Sequence, residues 1–84
     1  MEEKIFFDYS KLRGRIKEVF GTQDNFAKKV KMGRVGVSQR LNNLIDFSDK
    51  EILRWSNALK IELEGIPLYF FTPKVQKGEQ NESA

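Results

Sequence analysis

Apolar side chains along the chain recur mostly at helical spacing. Tyr9, Leu12, Ile16, Val19 and Phe20 fall on one face of a helix. Asp8 is placed to cap its start, with Phe7 packing on Leu12 as a staple. Gly21 is placed to end it. Gly14 falls on its outer face, where close approach of another backbone would justify it. A second, short helix follows Thr22, with Phe26, Ala27 and Val30 as its apolar edge. Lys31-Met32-Gly33 interrupts the pattern, and a third helix is predicted from Arg34 to Asn42. Val37 and Leu41, four apart, face inward there. Val35, Ser38, Gln39 and Asn42 point the other way.

A fourth helix has the clearest start. Ser48-Asp49-Lys50-Glu51 reads as a capping box, and Ile52, Trp55 and Leu59, helped by Leu53, make the inner stripe. Trp55 is predicted to be core. Beyond Lys60 the period fades. Leu68-Tyr69-Phe70-Phe71 fits a last helical turn or a strand, and Pro73 limits either. Adjacent aromatics cannot all point into one small core, so Tyr69, Phe70 and Phe71 are predicted to build a subunit interface. Residues 74–84 are polar and are predicted to form a flexible tail behind a single domain of residues 1–73. The fold class is all-α, a compact bundle of about five short helices.

Composition narrows the function. The 84 residues contain no Cys and no His. The usual zinc sites, the Cys–His and Ser–His–Asp nucleophiles and the commonest general base are therefore excluded. The acids are scattered over helix starts and the tail, so no catalytic residue, metal site or cofactor is predicted. The longest late apolar run, Ile66 to Phe71, is far short of the ~20 residues needed to span a bilayer. No leader pattern opens the chain, so a cytoplasmic protein without membrane contact is expected.

The net charge of +3 is unevenly spread. Residues 1–45 hold ten Lys or Arg against five Asp or Glu, a balance of +5, and the remainder is −2. A basic half on a small domain suggests a polyanionic partner.

The stretch TQDNFAKKVKMGRVGVSQRLNN, Thr22 to Asn43, matches a helix-turn-helix. Arg34, in the first turn of the third helix, suits guanine O6 and N7. Val35 suits a thymine methyl, while Ser38 and Gln39 suit base edges one turn on. Gln23 at the start of the second helix, and Asn42 and Asn43 at the far end, suit phosphates. Gly36 inside the reading helix would admit a DNA backbone or a partner closely.

This stretch resembles the Cro and lambda-repressor-like helix-turn-helix domains. FDYSKLRGRIKEVFG, FAKKV, VSQRLNN and LYFFTPKVQ further resemble small phage proteins of the Cro repressor type, over about Phe7 to Gln76. The resemblance implies a near five-helix domain that binds double-stranded operator DNA as a homodimer in a lysis–lysogeny switch of a bacterial host. It also implies that Gln23, Arg34, Val35, Ser38, Gln39, Asn42 and Asn43 occupy DNA-facing positions. Two positions depart from the pattern: Lys31 stands where the turn normally carries glycine, and Gly33 where the third helix is normally capped by Ser or Thr. The alternative is a modulator that binds the phage's main repressor, since some relatives of similar size act in that way.

Overall fold

The computed structural model describes residues 5–74. It contains five α-helices: α1 (Ser10–Phe20), α2 (Gln23–Lys29), α3 (Arg34–Leu41), α4 (Asp49–Leu59) and α5 (Ile66–Phe70). A 3₁₀ turn, Leu63–Gly65, leads into α5. Among the described residues there is no strand, only one antiparallel bridge between Phe7 and Pro73. The last segment, open between helix and strand in the sequence, is helical. The predicted tail beyond Lys74 lies outside the described residues. Lys74 itself is anchored, its N–H donating to the Phe6 carbonyl at 2.8 Å.

Local chemistry sets most boundaries. Thr22 caps α2 by accepting from Asn25 N–H, and Ser48 and Glu51 form both bonds of a capping box on α4. Asp8 acts one residue ahead of the α1 cap position, where Oδ1 accepts from Ser10 N–H and Ser10 Oγ–H. These bonds hold the Asp8 carboxyl below its ordinary pKa.

Three helices end by the same device. Lys31, Asn43 and Lys60 have left-handed φ values of 56°, 63° and 59°. Behind each, paired N–H groups return to the preceding helix: Lys31 to Lys28 O and Met32 to Ala27 O, Asn43 to Arg40 O and Leu44 to Gln39 O, Lys60 to Asn57 O and Ile61 to Ser56 O. This is the Schellman pattern, which usually takes glycine at the left-handed residue. Lys31 thus adopts the conformation that its departure from glycine required.

The core is built on Trp55, which is fully buried. Phe26 meets its ring edge to face at 4.6 Å and Phe47 at 4.7 Å. Leu12 and Ile16 of α1, Val30 beyond α2, Val37 and Leu41 of α3, and Leu59 of α4 pack around them, with Tyr9, Ala27, Ile52 and Phe70 also buried in the cluster. Two predicted core positions lie outside. Leu53 is 53% exposed because it is rotated about 100° from Ile52 around α4. Val19, on the last turn of α1, is 39% exposed.

Among the described residues no helix is long and apolar enough to cross a membrane, and no three acids gather as a metal site would require.

Candidate interaction surface

Helices α2 and α3 and the turn between them carry most of the residues singled out by sequence. Gly33 caps α3 with its backbone alone, so Arg34 takes the first helical position. Arg34 turns back toward α2, where Nη1 donates to Asp24 Oδ2 at 3.2 Å. Both side chains are exposed, so this pair orients the arginine more than it stabilises the fold. Asp24, Lys28, Lys31 and Arg34 rim a shallow hollow of about 320 Å³ between the helices, floored by Ala27 and Met32.

Val35, Ser38, Gln39 and Asn42 follow along the outer side of α3. Val35 is 68% exposed. The carboxamide of Asn42 donates to Ser38 Oγ at 3.2 Å and accepts from Arg13 Nη2 at 2.9 Å. The same Arg13 nitrogen donates to the Leu41 carbonyl, so α1 holds the end of α3 through one guanidinium. The side chains of Gln39 and Gln23 make no hydrogen bond among the described residues, and both are half-buried. One contiguous face therefore gathers Arg34, Val35, Ser38, Gln39 and Asn42, with Gln23 at the start of α2 beside the Asp24–Arg34 bridge.

Asn43 is a correction. Its Oδ1 accepts from Phe7 N–H at 2.9 Å and its Nδ2 donates to Phe7 O at 3.0 Å. Both ends of the amide are engaged with a backbone 36 residues away, so Asn43 splices the N-terminal segment to α3 instead of meeting a phosphate.

Gly36 is a second correction. A Cβ there would lie 3.1 Å from Met32 Cγ, so the space it leaves is filled from within. Arg40 crosses the same site, donating from Nη1 to Gly36 O at 3.0 Å. Its Nε and Nη2 donate to the two carboxylate oxygens of Glu51, each at 3.0 Å. This bidentate pair binds α3 to α4 and is mostly shielded from solvent. The Arg40 hydrogen bonds are the main reason the Glu51 carboxyl sits below its ordinary pKa. Gly14, by contrast, has open space around it.

The predicted aromatic interface is corrected in part. Phe70 is 1% exposed and meets Phe47 at 5.2 Å, so it belongs to the core. Tyr69 is half-buried beside Gly65. Only Phe71, 47% exposed, offers substantial surface. Helical geometry in α5 separates Tyr69 from Phe70 by about 100°, and Phe71 lies just past the end of that helix. Sequence reasoning passed over Asp46 and read Asp49 only as part of the α4 capping box; the two acids stand at the mouth of a cleft on the side of α4. Their placement three residues apart, on either side of Phe47-Ser48, was the available signal.

These features define a small all-helical domain with a polar, internally braced α2–α3 face. The chain belongs to the family described as a protein of unknown function, DUF739, whose model matches residues 5–73. Among solved structures it is similar to the modulator of repression (MOR) of the temperate bacteriophage TP901-1 from Lactococcus lactis, determined in solution. The two share 41% identity and a TM-score of 0.72, over 83% of this chain and 95% of that one. No curated protein matches the chain.

Proposed function

We propose that this protein modulates repression in a temperate phage by binding the phage's main repressor. The observation that carries this reading is the 41% identity with the phage modulator of repression, over nearly the whole of that chain. The α2–α3 face supports it. Arg34 is drawn toward Asp24, and the Asn42 amide is held by Arg13 and Ser38. A polar face already fixed by internal bonds loses little side-chain freedom on docking to a structured protein. Beside these fixed groups, Val35 supplies an exposed apolar contact. The reading involves no catalytic step and no cofactor, and it takes precedence over a Cro-like repressor that would cover an operator by itself.

Gel shifts with purified protein, the main repressor of the same phage and operator DNA test it. The protein alone should leave the operator unshifted, bind the repressor in calorimetry, and change the repressor–operator band. A sequence-specific shift by the protein alone, with no effect of added repressor, would overturn the proposal in favour of direct operator binding.

A further inference from the structure

A cleft of about 540 Å³ opens beside α4, away from the hollow between α2 and α3. Its wall is a run of aromatic rings. Phe71 meets Phe7 edge to face at 5.9 Å, Phe7 lies 6.2 Å from Tyr9, and Tyr9 meets Phe47 at 5.5 Å. Phe47 then meets Phe70 at 5.2 Å. Tyr9, Ile52 and Phe70 are buried and form the floor, while Ile5 and Phe71 are exposed at the rim.

Asp46 and Asp49 stand at the mouth. Both are exposed, and neither takes part in an ion pair among the described residues. Among the described residues no Lys or Arg lines the cleft, although the chain as a whole carries +3. The Asp46 charge also reaches inward: the Tyr9 phenol is pushed above its ordinary pKa, chiefly by burial and then by Asp46.

These features select an occupant. A wholly apolar segment would strip water from two carboxylates without replacing their hydrogen bonds. An acidic segment or a phosphate backbone would be repelled. An aliphatic stem ending in a cation fits both parts, since rings and Ile52 cover the stem, and π faces and carboxylates attract the charge. A planar guanidinium suits ring contacts and carboxylate pairing better than an ammonium.

We propose that this cleft seats an arginine side chain of the main repressor, which makes it a docking point distinct from the α2–α3 face. The proposal rests on the repressor-binding function given above. It assigns Asp46 and Asp49 to the guanidinium, and Phe7, Phe47 and Phe71 to the stem and ring contacts.

The test has two arms, both on the full chain. In the first, n-butylguanidinium, n-butylammonium and n-butanol are titrated into ¹⁵N-labelled protein. Butylguanidinium should shift the amides of Phe47, Ile52 and Phe71 in a saturating way. The D46N/D49N double variant should weaken that binding about fivefold, as two exposed ion pairs of ordinary strength would. Equal binding of butanol, or an unchanged titration in the double variant, overturns the proposal; tighter binding of butylammonium overturns the choice of arginine. In the second arm, calorimetry compares repressor binding by the parent, by D46N/D49N and by F71A. A loss of fivefold or more in both variants, with unchanged thermal stability, supports the proposal. Equal repressor binding by all three overturns the cleft as the repressor's seat and leaves the proposed function standing. If the repressor does not bind the parent while butylguanidinium still fills the cleft, the proposed function fails and the cation preference of the cleft stands.

Discussion

Glu51→Gln isolates the bond between α3 and α4. Glu51 receives two N–H bonds from Arg40 at 3.0 Å and also accepts from Ser48 N–H as the second half of the capping box. Glutamine keeps one acceptor oxygen but replaces the other with an NH₂ that faces a guanidinium. One charge-assisted bond is lost and the other is weakened, because only its donor remains charged. Such bonds contribute about 1.5–3 kcal/mol when charged and about half that when neutral. Side-chain exposures of 16% for Arg40 and 21% for Glu51 leave some screening, so the net loss at neutral pH should be about 1–2 kcal/mol. For a domain of this size each kcal/mol shifts the melting temperature by about 4–8 °C.

The pH dependence makes the assignment specific. The folded-state pKa of Glu51 lies below its ordinary value of 4.5, so the folded chain holds fewer protons there than the unfolded one. The stabilisation is full above 4.5 and is lost as pH falls through the lower folded-state value. Urea unfolding, followed by the fluorescence of the single, fully buried Trp55, measures parent and variant across this window. The gap should be widest at pH 7 and close on acidification. A variant as stable as the parent at pH 7, or a gap that does not narrow as pH falls below 4.5, would refute the reasoning.

Other perturbations follow from the same geometry. Asn43→Ala should cost about 2–3 kcal/mol, through two lost bonds and a left-handed backbone without its side chain; hydrogen exchange at Phe7 N–H should speed up with it, and an unchanged rate would show the splice to be wrong. Gly14→Ala should stabilise by about 1 kcal/mol, because the site is helical and open, and chemical denaturation reads the sign directly. Lys31→Gly should be neutral to stabilising by about 0.5 kcal/mol, since relief of the left-handed lysine offsets the added chain entropy; a clear drop in melting temperature would contradict this account of the turn.

The starts of α2 and α4 were legible because each is written in adjacent residues: Thr22 before α2, and Ser48 with Glu51 on α4. The inward pair Val37 and Leu41 was legible from spacing alone. The helix ends were harder. A Schellman ending announces itself through glycine, and this chain uses Lys31, Asn43 and Lys60, which look like surface residues in sequence. The site was legible as a face but not as a function. Arg34, Ser38 and Asn42 do lie outward, yet their bonding to Asp24 and Arg13 depends on how α1, α2 and α3 are packed, which no local pattern records. Asn43 shows the limit most sharply: its partner is 36 residues earlier in the chain. Tyr69, Phe70 and Phe71 could not be sorted until the segment was known to be helical, because only then does one of the three turn inward.

The bridge between Phe7 and Pro73 is flanked by two short backbone bonds, from Asp8 N–H to Thr72 O at 2.7 Å and from Lys74 N–H to Phe6 O at 2.8 Å. The first and last described segments are thus sewn into one seam, and Asn43 pins that seam to the middle of the sequence. Neither margin can peel back without loosening the other, so a spectroscopic label on one should report the opening of both. The seam also runs past Phe7 and Phe71, so anything that tugs on either margin would be felt in the shape of the aromatic recess.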